Sequence, residues 1–267
     1  MASLTSLDRR EAFNGLRAAL SVAHRGASPE AFALAEEAVI RSGLGDLDAA
    51  LGGGFPRGIV ATLEGAPGSG RSSVLARLLA TATTGGGLAA LIESPAGPEG
   101  AFYPPALVAA GVDLDRLLVV HARDAVAVAR AADILLRAAA FSVVAIPTVS
   151  LRAPVWTRLA SLTHRANALL VAMGAGASDE LRYFASLRVR LEPARARFAG
   201  IDGLFCTLAG LDVEASVLKH KRAAPGRRAR FTCATFERAG APLGATRVRE
   251  LAPADVAFER IRRSVAR

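Results

Sequence analysis

Apolar and polar positions change period twice along this chain. Residues 6–25 repeat apolar side chains at helical spacing. Phe13, Leu16, Leu20 and Ala23 share one face, with Arg9, Arg10 and Arg17 on others, which predicts an amphipathic helix. Ser28-Pro29-Glu30 supplies a capping residue, a proline tolerated at the first helical position and an early carboxylate, so a second helix is expected to run to about Ile40. A glycine-rich segment, 43–58, follows this small helical element. From residue 58 onward, short and almost continuous apolar runs alternate with helical patterns. Strands are expected at Ile59–Leu63, Leu88–Glu93, Leu117–His121, Ser142–Ile146 and Ala168–Met173. Helices are expected at Ser72–Thr84, Phe102–Ala110, Asp124–Ala140 and Val155–Arg165. Strands this uniformly apolar belong in a parallel sheet covered on both faces, so the fold class is α/β. After about residue 185 strands succeed one another without helices, at Leu187–Leu191, Ala215–Lys221 and Ala229–Phe236, which predicts an antiparallel extension of the sheet. The stretch RAAPGRRAR, Arg222–Arg230, reads as a basic turn between the last two strands.

Composition narrows the class. Hydrophobic residues make up 52% of 267 and charged residues 21%, enough for a sizeable core and against wholesale disorder. The amino terminus is charged where a secretion signal needs an apolar run, and no uncharged apolar stretch reaches the ~18 residues of a membrane span. A cytoplasmic protein without a membrane partner is the expectation. Cys206 and Cys233 make no disulfide framework, and His24, His121, His164 and His220 are scattered without ligand spacing, so no metal site is expected.

Charge is unevenly distributed. The net charge is +9, but residues 1–180 sum to −1 and residues 181–267 to +10. Arginine accounts for 31 of the 33 basic residues, which weakens arginine at any single position as evidence and makes Lys219 and Lys221, the only lysines, more informative. A basic last third suits a nucleic-acid partner, and equally a solvated, solubilising surface.

One segment carries recognisable chemistry. Gly65-Ala-Pro-Gly-Ser-Gly-Arg-Ser72 has the spacing of a phosphate-binding loop and lies between a predicted strand and a predicted helix, the context that motif requires. Its glycines, Gly65, Gly68 and Gly70, let backbone N–H groups wrap a phosphate, with Ser69 between them, and the helix N-terminus adds favourable potential. Ser72 stands where a hydroxyl would ligand magnesium. The lysine position, however, is Arg71, whose planar fork is bulkier than a compact ammonium. Turnover also needs a carboxylate ending a later apolar strand. The strand Ser142–Ile146 ends instead in Pro147-Thr148, and Glu93, at the end of another strand, reads as well as a satisfied strand-end carboxylate as a catalytic one. No catalytic residue is therefore assigned, hydrolysis is not expected, and ATP with magnesium stays a candidate ligand without being required.

The flanking motifs resemble the bacterial RecA recombinase family. Ser42-Gly-Leu-Gly-Asp-Leu-Asp-Ala-Ala-Leu-Gly-Gly-Gly-Phe-Pro-Arg-Gly58 is similar to the segment before that family's phosphate loop, and Gly111-Val-Asp-Leu-Asp-Arg-Leu-Leu118 to its link into the third strand. Asp179–Arg190 resembles the segment after its second DNA-binding loop, and Val217-Leu-Lys-His-Lys-Arg-Ala-Ala-Pro225 its late lysine-rich hairpin. The resemblance implies a RecA-like core at 42–240, preceded by a helical element at 1–41 and followed by a basic tail at 241–267. In that family a loop lysine, a strand-end aspartate and a glutamate drive ATP turnover; Arg71, Pro147 and Pro95 stand in those places here. The DNA-gripping loops look short, reduced to Leu151–Pro154 and Gly174–Ser178. The hairpin lysines of family filaments reach the neighbouring subunit's ATP. By that likeness Lys219 and Lys221, with Arg222, Arg227, Arg228 and Arg230, become candidates for a subunit or DNA contact.

A short RecA-like core with altered ATP chemistry, and the tract Ala101-Phe-Tyr-Pro-Pro-Ala-Leu-Val108, resemble the ImuA family of damage-inducible bacterial mutagenesis cassettes. That likeness implies a non-catalytic accessory role in the SOS response and translesion synthesis. The implied partners are an inactive Y-family polymerase-like protein, an error-prone replicative polymerase subunit, RecA and single-stranded DNA. A DNA-dependent ATPase or recombinase paralogue, and a regulator of RecA filaments, stay open beside it.

Overall fold

The computed structural model describes residues 39–234, apart from Ala96 and residues 202–204 and 222–224. The helix at 6–25, most of the one beginning at Ser28, Arg222 and the basic tail lie outside the described residues. Where the second helix was expected to end, Val39 and Ile40 instead form β1 (Val39–Ile40), paired antiparallel with β2 (Phe55–Pro56). A residue pair so close to the glycine-rich turn gains more from pairing across it than from ending a helix. Between them lies the short helix α1 (Gly45–Ala50).

The remaining elements are β3 (Ile59–Glu64), α2 (Arg71–Thr84), β4 (Leu88–Glu93), α3 (Pro104–Ala109), β5 (Leu117–His121) and α4 (Ala125–Ala138). They continue as β6 (Phe141–Pro147), α5 (Ala153–Arg165), β7 (Leu169–Gly174), α6 (Asp179–Phe184), β8 (Leu187–Ile201), β9 (Phe205–His220) and β10 (Arg228–Ala234). Among the described residues β3 to β10 make one eight-stranded sheet in the order β10-β9-β8-β3-β7-β6-β4-β5. The strands from β8 through β5 pair in parallel, and β9 and β10 add antiparallel. The mostly parallel sheet with an antiparallel extension is the architecture the sequence predicts. β8 and β9 are far longer than expected, because charged side chains interrupt the apolar pattern of their outer halves while the pairing continues past register shifts at Pro193/Arg195 and Arg197/Phe198.

Alternate strand residues feed two cores. Ala61, Leu63, Leu91, Val143, Val171, Val189 and Val213 pack beneath α1, α2 and α3. Val60, Ile92, Val144, Ile146 and Leu170 pack against α4, α5 and α6, where Trp156 is the largest wholly buried side chain. Strands buried on both faces have no polar side to alternate with, hence their continuous apolar runs. Asp124 caps α4 by accepting the Ala127 N–H at 2.7 Å, and Ser178 caps α6 by accepting that of Leu181.

The basic turn is shorter than predicted. Arg228 and Arg230 are strand residues, opposite Ser216 and Glu214 of β9. Both guanidiniums reach the Glu214 carboxylate, at 3.2 and 2.8 Å. Alternation with the buried Ala229 and the partly buried Phe231 is a strand period, and it outweighs the local turn signal of Pro225-Gly226.

Candidate phosphate loop

The parallel strands all end on the side of the sheet where the glycine-rich segment turns from β3 into α2. Gly68 and Gly70 adopt left-handed φ of +79° and +87°, a conformation that costs glycine nothing. Gly70 is the N-cap of α2, and a Cβ there would lie 2.7 Å from Val213 Cγ2 of β9. A Cβ on Gly65 would strike the Leu191 carbonyl and Ser69 Oγ, each at 2.4 Å. The loop is therefore packed tightly against the antiparallel extension, and its backbone is that of an anion cradle.

The side chains differ from the backbone in what they suit. Arg71, the first residue of α2, is only 5% exposed, and its guanidinium points back into the loop. One terminal nitrogen donates to the Gly65 carbonyl, and the other donates to Glu99 Oε2 at 2.5 Å. Glu99 is itself 10% exposed at its side chain, so this is a buried ion pair. The Arg71 Nε and Ser69 Oγ are buried without a hydrogen-bond partner. Ser72 is exposed on the first turn of α2.

The strand ends around the loop complete the site. Glu93, ending β4, accepts the Phe102 N–H at 2.8 Å, and its other oxygen lies 2.8 Å from His121 Nε2. Its two oxygens are thus taken by groups of this chain. β6 ends in Pro147, and the Thr148 N–H donates to the Met173 carbonyl. Glu64, ending β3, is 2% exposed and held bidentate by Arg188 of β8 at 2.8 and 3.0 Å, with Thr62 donating at 2.7 Å. Burial pushes the Glu64 carboxyl up, but the hydrogen bonds from Arg188 and Thr62 and the nearby Arg188 and Arg190 charges outweigh it, leaving the pKa below the ordinary value. Cys233 of β10 lies beside Gly70, and burial pushes its thiol up.

A magnesium-bound triphosphate fits this site only in part. The glycine backbone and helix N-terminus suit phosphate oxygens, but the loop's own cation, Arg71, already has a carboxylate, and β6 presents proline where a metal-holding acid would stand. The sequence pointed to Gly65, Gly68, Ser69, Gly70, Arg71 and Ser72, and these do form one loop. It missed Glu99, Glu64 and Arg188, because nothing in local spacing ties residue 99 to residue 71 or residue 188 to residue 64.

The hairpin candidates lie elsewhere on the sheet. Lys219 Nζ donates to the carbonyls of Arg182 and Tyr183 at 2.8 and 2.9 Å, neutralising the C-terminal end of α6. Partial burial, with Lys221 and Arg188 nearby, draws its pKa down. The Lys221 N–H donates to the Ser186 carbonyl, and Arg227 lies exposed just before β10. Among the described residues no group of His, Cys, Asp and Glu could hold a metal ion, and no helix is long and apolar enough to cross a membrane.

Comparison with known proteins agrees with this geometry. Residues 30–159 match the RecA N-terminal domain family. Protein RecA of Picosynechococcus sp. is 37% identical over 117 residues, 44% of this chain and 32% of that protein. Protein RecA of Corynebacterium urealyticum is 39% identical over 116 residues, 43% of this chain and 30% of that one. The match thus spans about a third of the length of these relatives. A crystal structure of the RadB recombinase superposes with a TM-score of 0.57 at 17% identity, covering 72% of this chain and 95% of that one, a likeness of fold. The glycine loop lies within the stretch similar to the RecA N-terminal domain, and the chain carries a RecA-like fold.

Proposed function

We propose that this chain is a non-catalytic, RecA-like accessory factor in DNA-damage-induced translesion synthesis and mutagenesis. It acts through contacts with an inactive Y-family polymerase-like protein, an error-prone replicative polymerase subunit and RecA, with single-stranded DNA as a further partner. The observation that carries the reading is the state of the strand ends beside the loop. Both Glu93 oxygens are engaged by the Phe102 N–H and His121, and β6 ends in Pro147. A recombinase-like frame with those strand ends so occupied serves best as a surface. Among the described residues Lys221 and Arg227 are the hairpin cations left for such a contact, while Lys219, Arg228 and Arg230 also hold the extension together.

The test is damage-induced mutation frequency in a deletion strain, restored by the wild-type chain and not by a Lys221→Ala/Arg227→Ala variant. Unchanged mutation frequency on deletion would refute the accessory role. The intact loop backbone favours a second reading, a DNA-dependent ATPase with an arginine in its phosphate loop. Phosphate release by the purified protein, stimulated by single-stranded DNA, would establish it and remove the first.

A further inference from the structure

The described loop after β4 is short, Gly-rich and pinned. The Gly97 N–H donates to the Ser94 carbonyl at 2.8 Å, the Gly100 N–H to Gly97 at 3.1 Å, and Ser94 and Gly100 form an antiparallel bridge. Just beyond it, the Phe102 N–H is held by Glu93. Glu99 sits between these anchors, so its approach to Arg71 follows from backbone geometry as well as from charge. At the other end Arg71 is fixed as the first residue of α2, with one terminal nitrogen on the Gly65 carbonyl.

From this arrangement we infer that Glu99 is a built-in counter-anion of the glycine loop, which decides what the loop can hold. A buried guanidinium requires a partner, and an uncompensated charge at this depth would be costly. In a polyphosphate site the incoming oxygens meet that requirement. Here the chain's own carboxylate does, and it does so without loss of translational freedom. A triphosphate entering the loop must expel Glu99 from Arg71 and then lie beside a displaced carboxylate of like charge. The same glycine backbone, relieved of Glu99, presents an unpaired cation and helix N–H groups to a polyanion. Glu99 is thus a specificity-determining residue, excluding nucleotide from a loop whose backbone would accept it.

The inference rests on the proposed non-hydrolysing role but fails separately from it. The wild-type chain and the variants Glu99→Gln, Arg71→Lys and Arg71→Lys/Glu99→Gln are titrated with a fluorescent ATP analogue and magnesium, each checked for cooperative thermal unfolding. Wild type is expected to show no saturable binding at micromolar analogue. Glu99→Gln, which keeps the shape and removes the charge, should bind at least roughly tenfold more tightly, and the double variant on the order of a hundredfold, the range set by the expense of separating a buried pair. Arg71→Lys alone, with the carboxylate still present, should gain little.

Saturable micromolar binding by wild type overturns the inference whatever the variants do, and so do folded Glu99→Gln and double variants that bind no better than wild type. Should those two fail to fold, Glu99→Asp, which draws the carboxylate back by one methylene, is expected to bind the analogue measurably above wild type; no gain refutes the counter-anion. Phosphate release by wild type would remove both this inference and the accessory role. An unaltered mutation frequency on deletion would remove only the latter.

Discussion

Replacing Arg188 by methionine keeps most of the side-chain length and removes the guanidinium that holds Glu64. The carboxylate it leaves behind is 2% exposed, with Thr62 Oγ1 still donating to it at 2.7 Å. Removing one partner of a buried pair typically costs about 3–5 kcal/mol, since the other charge stays buried without compensation. For a domain of this size each kcal/mol shifts the unfolding midpoint by roughly 2–4 °C, so Arg188→Met should lower it by about 10 °C.

The pH dependence separates this account from lost packing. In the wild type the Glu64 pKa is lowered, so the stability it contributes is present above the unfolded value of about 4.3 and is lost as pH falls through the folded one. In Arg188→Met burial is less opposed and the carboxyl is pushed up instead. The deficit of the variant is then largest at neutral pH and narrows toward pH 4, where a protonated carboxyl is tolerated. The double variant Glu64→Gln/Arg188→Met should recover about 2 kcal/mol of the loss at pH 7, because no buried charge remains. Urea unfolding can be followed by the fluorescence of Trp156, the only tryptophan and fully buried. A loss below about 1 kcal/mol at pH 7, a deficit that does not change with pH, or a double variant no better than the single would each refute the reasoning.

Four further outcomes follow from particular contacts. Trp156 is wholly buried with an indole N–H that has no partner, so Trp156→Phe should cost under about 1.5 kcal/mol while Trp156→Ala costs about 3–5, both read by denaturant unfolding followed by circular dichroism. Ala139 ends α4 at a left-handed φ of +50°, and Ala139→Gly should raise stability by about 0.5 kcal/mol in thermal unfolding. A Cβ on Gly174 would fall 1.8 Å from Thr148 Oγ1, so Gly174→Ala should destabilise by about 1–3 kcal/mol, with partial rescue by Thr148→Ala in a double-mutant cycle. Lys219→Met should cost about 1 kcal/mol through the lost contacts to the α6 carbonyls, whereas Lys221→Met should stay within about 0.5 kcal/mol by chemical denaturation.

The local sequence suffices for much of this molecule. Ile59–Leu63 and Leu88–Glu93 were legible as strands because a strand buried on both faces cannot hide its composition, and the glycine loop because its backbone needs glycine at Gly68 and Gly70. The helix from Asp124 was legible from its helical spacing, whereas the short helix capped by Ser178 went unread. These determinants operate within one element or across one turn, so spacing along the chain reports them. Only the tertiary structure decided what the loop's charge does. Arg71 meets Glu99 across 28 positions and Glu64 meets Arg188 across 124, pairings set by strand order and by the turn after β4. The same applies at Arg228, where pairing with β9 made strand out of an expected turn, and both Arg228 and Arg230 went to Glu214. A charge in a sequence shows that a partner is needed; which partner it finds depends on what the fold brings within about 3 Å, and no local pattern records that distance.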